Sequence, residues 1–370
     1  MRFYLSQFHS IRPRYELSQT EALACLVRLR LKLNPLPEAW DQETIEKRIH
    51  RFGLASSQIA RRGTEIESYL PVNPQGSLFG EGKIPDLTAR MNFFKTRAEE
   101  VMEQFYVDVH LKPDHLVHVT CTGYVSPSAA QISAAKWNLD EKPTTVTHAY
   151  HMGCYASLPA IRIARGLQAV SENTKSHQVD IVHQEMCSLH FDPTSLEAEQ
   201  IVVQSLFADG HIRYRLSGEL SEDGFEILSL KERMIPETQE MMSWVPSSTH
   251  FTMHLGREVP VKIKNELKPF IVSLLAENHI PETSEIIYAI HPGGPKIIDA
   301  VEKEMSLDPI QTSESHAILK NYGNMSSATL PHIWNEILKN KDRKSGTVVL
   351  SLAFGPGLTI SGSAFRLCRA

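Results

Sequence analysis

Short apolar runs that read as strands alternate along the chain with longer segments whose apolar residues recur at helical spacing. Arg2 to Leu5 predicts a short strand. Ser18-Gln19-Thr20-Glu21 then has the spacing of a capping box, opening a helix that carries Ala22, Leu23, Cys25, Leu26 and Leu29. Helical patterns follow over Glu43 to Ile59 and Glu99 to Phe105. Leu116 to Thr120 predicts a buried strand ending in a turn at Cys121-Thr122-Gly123. Thr144 to Tyr150 predicts another, leading through Gly153-Cys154 into a helix over Tyr155 to Val170. That helix is rich in Ala, Leu and Ile and poor in charge, which predicts burial on most sides. A strand at Val179 to Val182, a helix at Gln200 to Phe207 and a strand at His211 to Leu216 precede a polar turn over Ser217 to Gly224.

The second half repeats this grammar. A helix over Val261 to Ala276 leads to a strand, Ile286 to Ile290, which stops at His291-Pro292-Gly293-Gly294. A helix through Ile297, Ile298, Val301 and Met305 comes next. Asn324 follows Gly323 and precedes a helix over Ser326 to Leu338. Val348 to Leu352 predicts a strand ending in Phe354-Gly355-Pro356-Gly357, and Leu358 to Gly362 begins the last one. Strands alternating with helices predict a layered α/β fold. With no low-complexity run between them, the halves fall at 1–230 and 231–370, packed as one body.

Composition narrows the partners more than the fold. A chain of 370 residues that is 42% hydrophobic and 22% charged is built for a large folded core. Its formal net charge of −5 offers no basic field for nucleic acid and no polybasic membrane anchor, so an anionic ligand must be held by a few local cations. Five widely spaced cysteines, without a Cys-x-x-Cys pair, argue against a disulfide framework or a structural zinc site and for a reducing compartment. Ser6, Gln7, His9 and Ser10 interrupt any signal-like apolar stretch at the start, and 18 consecutive apolar residues occur nowhere. The expectation is a cytoplasmic protein that meets neither membrane nor nucleic acid.

Three residues stand where chemistry is possible. Cys154 follows a glycine at a strand-to-helix junction, where helix N–H groups favour a thiolate, although a cysteine packed as a small hydrophobe is the commoner case. His291 ends an apolar strand before Pro-Gly-Gly, a setting that lets backbone close around an imidazole able to hold a proton or pair with a thiolate. Asn324 is either a helix cap or a neutral donor to an oxyanion. Cys, His and Asn in this order also match a papain-like hydrolase, but Cys154 lacks that group's flanking signature near the start of the chain. His115 and His118 face opposite sides of a strand, and no third ligand joins His250 and His254, so no metal site is expected.

At this point the residues resemble a family. Met152-Gly153-Cys154-Tyr155, Ile290-His291-Pro292-Gly293-Gly294-Pro295-Lys296, Asn321-Tyr322-Gly323-Asn324-Met325-Ser326-Ser327 and Phe354-Gly355-Pro356-Gly357 resemble segments of chalcone and stilbene synthases, the type III polyketide synthases. Gln204-Ser205-Leu206-Phe207-Ala208-Asp209-Gly210 is similar to another, and the matches keep their order from about Arg48 to Thr359. The resemblance implies a thiolase-like α-β-α-β-α fold of two similar halves and a homodimer. It implies Cys154 as nucleophile with His291 and Asn324 as condensing partners, and acyl-CoA and malonyl-CoA as substrates without a metal or redox cofactor.

The same resemblance places Arg48, Arg51 and either Arg61 or Arg62 near a cationic coenzyme A site. Phe207 resembles the gate between tunnel and cavity, and Ser326 and Thr122 fall among cavity residues. Cys121, Cys187 and His190 replace cavity threonines, Met253 a second gate phenylalanine, and Trp244 a cavity glycine. Ser126 stands where the family often lends a methionine across the dimer. These replacements imply a slim acyl starter and a short pyrone or resorcinol-type product. A Trp244 that only packs on the surface is the competing expectation. A ketoacyl synthase III fed by carrier protein shares the fold and the trio, and a thioester hydrolase shares the trio alone.

Overall fold

The computed structural model describes residues 2–33, 40–70, 77–80, 82–107, 112–137, 143–171, 176–281 and 285–370. Its strands are β1 (Tyr4–Ile11), β2 (Tyr15–Ser18), β3 (Arg61–Thr64), β4 (His115–Thr120), β5 (Thr145–Tyr150), β6 (Gln178–Met186) and β7 (Asp209–Ser217). They continue with β8 (Gly224–Met234), β9 (Met242–Pro246), β10 (Phe251–Leu255), β11 (Ile286–Ile290), β12 (Val348–Gly355) and β13 (Thr359–Cys368). The helices are α1 (Gln19–Leu33), α2 (Gln42–Phe52), α3 (Leu87–Phe105), α4 (Ala129–Trp137) and α5 (Ser157–Ala169), then α6 (Ala198–Leu206), α7 (Val259–Glu277), α8 (Pro295–Met305), α9 (Ser313–Tyr322) and α10 (Thr329–Lys339).

Nine of these strands form one mixed sheet in the order β11-β12-β13-β8-β1-β7-β6-β4-β5. The order is duplicated about its middle. From β1 outward, β7 and β6 are antiparallel neighbours and β4 is parallel to β6. From β8 outward, β13 and β12 are antiparallel neighbours and β11 is parallel to β12. The seam between the copies is narrow, with Tyr4 facing Glu226 and Leu5 facing Phe225. The expected divide at 230/231 lies inside β8, the counterpart of β1.

Period-2 alternation sends each parallel strand to two cores, which explains its unbroken apolar run. Val117, Val119, Ile287, Ala289 and Val349 point into a central core that also holds Ile161 and Ala164 of α5 and Ile333, Trp334 and Ile337 of α10. Leu116, Val182 and Met186 point outward to α1, α3 and α4, while Ile286, Ile290, Leu350 and Leu352 point outward to α7 and α8. The layers therefore run α-β-α-β-α, with α5 and α10 in the middle.

Several expected limits move. The second helix stops at Phe52 because Gly53 turns extended there. The helix expected at Glu99 begins at Leu87, capped by the Asp86 carboxylate on the Ala89 N–H. The helix expected from Ser326 begins at Thr329, after a 3₁₀ turn over Ser326–Ala328.

Candidate active site

The chemistry-bearing residues gather where strands end. Cys121 follows β4, Cys154 follows β5, Cys187 follows β6 and His291 follows β11. Carboxyl ends of parallel strands are where open α/β sheets leave room for ligands.

Cys154 lies in a 3₁₀ turn, Gly153–Tyr155, one turn ahead of α5. Gly153 has a φ of +74°, and a Cβ there would stand 2.6 Å from Pro356 Cδ, so glycine alone fits. Cys154 Sγ donates to Ser326 Oγ at 3.9 Å. Burial pushes the thiol up to about 12; the Ser326 hydrogen bond opposes that and the Glu185 carboxylate adds to it. Burial thus works against the thiolate that the helix N-terminus leads one to expect from sequence.

Asn324 is placed by backbone on both sides. Its N–H donates to Leu206 O at 3.0 Å, and its C=O accepts from Ala208 N at 2.8 Å. Its Oδ1 accepts the Ser326 N–H at 2.8 Å, which leaves Nδ2 fully buried and without a partner. His291 donates its N–H to Leu352 O at 2.8 Å, holding it beside the end of β12. Both of its ring nitrogens are unpartnered at 0% exposure, and burial lowers its pKa to about 3. The loop after His291 reaches the same place as Asn324, for a Cβ on Gly294 would stand 4.0 Å from Leu206 Cδ2.

A cavity with about 940 Å³ of atom-free space, its mouth included, opens beside Cys154. Its lining includes every residue expected there: Cys121, Thr122, Cys187, His190, Phe207, Trp244, Met253 and Ser326. His291 and Asn324 do not line it and are buried completely. Trp244 faces inward, its Nε1 donating to Cys121 O at 2.6 Å and its ring edge-on to His190 and Phe251. The surface alternative for Trp244 falls.

The arginines separate. Arg62 lines the cavity and is 6% exposed; its Nε donates to Gln19 Oε1 at 2.8 Å and its Nη1 to Gln204 O at 2.9 Å and Phe207 O at 2.6 Å. It therefore braces the Phe207 segment from inside and offers no surface cation, contrary to the expected placement. Arg48 donates to Leu196 O at 3.1 Å, while Arg51 is exposed on the last turn of α2. Neither lines the cavity.

Sequence reading missed Glu185, Phe251 and the buried network behind the cavity. Glu185 is fully buried and accepts from Cys121 N, Thr122 Oγ1 at 2.7 Å and Ser327 Oγ. Ser327 Oγ in turn meets His183 Nδ1 at 3.0 Å. The available signal was a carboxylate interrupting an otherwise strand-like segment. Among the described residues, Asp299, Glu302 and His316 also bring ligand atoms within 4.8 Å of one another, and the 2.7 Å His316–Glu302 contact accounts for that grouping.

A cysteine turn, a buried histidine and a buried asparagine lie at strand ends of a duplicated α-β-α-β-α body, the layering of the thiolase-like fold. Residues 94–214 match the family described as chalcone and stilbene synthases, N-terminal domain, and residues 226–368 match its C-terminal domain. The chain belongs to the chalcone and stilbene synthase family, whose members are acyltransferases. Type III polyketide synthase C of Arabidopsis thaliana is 29% identical over 261 residues, 68% of this chain and 67% of that protein. Probable polyketide synthase 1 of Dictyostelium discoideum is 30% identical over 258 residues, 67% of this chain but 8% of that much longer protein. The 1,3,6,8-tetrahydroxynaphthalene synthase of Streptomyces coelicolor superposes with a TM-score of 0.80 at 22% identity, over 99% of this chain and 100% of that one, a likeness of fold.

Proposed function

We propose that the protein is a type III polyketide synthase that loads a starter acyl group from coenzyme A on Cys154. It extends that group with malonyl-CoA by decarboxylative Claisen condensation, and closes a short pyrone or resorcinol-type product. One observation carries this reading: His291 and the Asn324 amide are fully buried with unpartnered donor atoms. Some nine in ten buried polar groups find a partner, and bare donors on a buried histidine and asparagine support a reading in which they are kept for a developing charge.

Burial favours the thiol of Cys154 and the neutral imidazole of His291, which has one nitrogen to accept and one to donate a proton. As sulfur attacks the starter thioester carbonyl, the thiol proton passes to His291 and the carbon–sulfur bond to coenzyme A breaks. His291 returns the proton to the leaving thiolate. A malonyl thioester then loses CO2, and the electron pair of the broken bond becomes an enolate whose oxygen takes the His291 and Asn324 donors. The enolate carbon attacks the acyl carbonyl and the bond to Cys154 sulfur breaks. No metal or redox cofactor enters this scheme.

Trp244, Phe251 and His190 take up width in the cavity, which favours a slim starter and few extensions. A cytoplasmic homodimer completes the reading. Among the described residues no helix is long and apolar enough to cross a membrane.

Mass spectrometry of products from short, aromatic and long-chain acyl-CoA starters with malonyl-CoA tests the proposal. Extended products from malonyl-CoA support it. Extension only with malonyl-carrier protein replaces it with the ketoacyl synthase reading, and free acid alone makes the protein a hydrolase. Trp244→Gly is expected to lengthen the product or admit bulkier starters; an unchanged spectrum removes Trp244 from selectivity. A stable, active monomer in sedimentation removes the dimer.

A further inference from the structure

Cys121 is committed at all three of its polar positions. Its N–H donates to both oxygens of Glu185, at 3.1 and 3.0 Å. Its C=O accepts the Trp244 indole N–H at 2.6 Å. Its Sγ accepts the N–H of Gly153 at 3.0 Å, the residue that turns the chain into Cys154. Burial and the Glu185 carboxylate push its thiol well up, so it rests as a neutral acceptor and a poor nucleophile.

The partners of Cys121 belong to different parts of the molecule. Trp244 lies on β9, which pairs only with β10 and stands outside the main sheet. Side chains hang this hairpin on the body. His190 Nδ1 accepts the Phe251 N–H at 3.0 Å, so its Nε2 carries the proton and donates to Thr122 O at 2.8 Å. The imidazole stacks on Phe251 with ring centres 4.4 Å apart. Consecutive carbonyls, of Cys121 and Thr122, thus hold the aromatic wall of the cavity, while the sulfur of the first holds the nucleophile turn. Gly153 is in the left-handed region, where its N–H has no neighbouring strand to pair with and Cys121 Sγ supplies the acceptor.

We infer that Cys121 is a positioning residue that couples the cavity wall to the reactivity of Cys154. A chain that fills the cavity and moves Trp244 pulls on the Cys121 carbonyl and, through the same residue, on the Gly153 N–H. Wall occupancy and nucleophile geometry then become one variable, and the length at which extension stops is set at both ends of this joint. This rests on the polyketide synthase reading for the identity of the chain, but the mechanical link does not.

The test is a double-mutant cycle on the intact protein, reading the iodoacetamide alkylation rate of Cys154 by peptide mapping alongside the melting temperature. Cys121→Ala removes the acceptor of a buried N–H and is expected to slow Cys154 alkylation about 5–30-fold, the equivalent of one buried hydrogen bond. Cys121→Ser keeps an acceptor and is expected to restore most of that rate. Trp244→Phe keeps a ring and loses the indole donor; it should change the Cys154 rate in the parent chain and leave it unchanged in the Cys121→Ala background. Additive effects, or a Cys121→Ala rate equal to the parent's in a folded protein, overturn the inference. Should Cys121→Ala fail to fold, Trp244→Phe in the Cys121→Ser background carries the test, and an unaltered Cys154 rate there overturns the link. A parent chain that takes no acyl group from coenzyme A thioesters would sink the functional proposal and leave this cycle readable.

Discussion

Cys121 and His291 occupy the same place in the two halves. Each is the first residue after the parallel strand that flanks the β6 or β12 position of its copy, β4 in one half and β11 in the other. Both are buried. Their surroundings are opposite. Around Cys121 every polar atom is used, and Glu185 gathers four side-chain and backbone donors behind it. Around His291 two ring nitrogens go unused, and Asn324 leaves a third nitrogen bare nearby. A duplicated scaffold offers two equivalent strand ends; one is saturated and holds shape, the other is left open and is available for chemistry. Stability and activity should therefore separate between these two strand ends.

The largest expected effects fall on the open strand end and on the cysteine turn after β5. Cys154→Ala should abolish starter loading, and His291→Ala should slow condensation about 10²–10³-fold while melting within a few degrees of the parent. Radiolabelled acyl transfer and product formation measure the two. If His291→Ala kept full condensation, the open strand end would be structural after all. Replacing Glu185 by Ala is the mirror experiment. It strips several buried donors at once and is expected to lower unfolding free energy by roughly 3–5 kcal/mol, read by urea denaturation.

Acid sharpens the contrast further. Burial lowers the pKa of His291 to about 3, so the folded state refuses a proton that the unfolded chain accepts near pH 6.5. Stability from this group is intact above pH 6.5 and is lost progressively as pH falls toward 3. His291→Asn should reduce the slope of stability against pH in that window by up to one proton, measured by urea titrations at several pH values. An unchanged slope would mean His291 is already protonated when folded. The smallest effect belongs to the surface. Arg51→Ala is expected to raise KM for the coenzyme A thioester about 2–5-fold at low salt and less at high salt, because the exposed cation is screened.

Legibility in the sequence followed the same divide. The strand at Ile286–Ile290 was plain because an apolar run carries it, and the helix inside Tyr155 to Val170 because Ala, Leu and Ile dominate it with Arg162 and Arg165 as its charges. The strand expected to end at Val182 continues to Met186, because His183, Gln184 and Glu185 read as polar turn residues while their partners come from distant parts of the chain. The start of α3 was hidden for a similar reason. Arg90 and Arg97 sit on its buried face, Arg90 donating to backbone carbonyls and Arg97 paired with Glu65, and they break the apolar stripe. β8 was missed since it carries a bulge: Ala364 pairs with Ser229 and Phe365 with Ile227, so Leu228 is passed over and the alternation along β8 shifts. Motif residues showed where the trio lay, but nothing in the pattern reported that Asn324 keeps its Nδ2 bare or that Arg62 turns inward.

The seat of β1 in the middle of the sheet has a consequence for how the protein is made. Tyr4–Ile11 must lie between β7 and β8, which leave the ribosome roughly 200 residues later. At about 5–20 residues per second that is a wait of roughly 10–40 s for a strand with both edges unpaired. Its sequence is suited to waiting: Ser6, Gln7, His9 and Ser10 interrupt the apolar positions and blunt premature pairing between nascent chains.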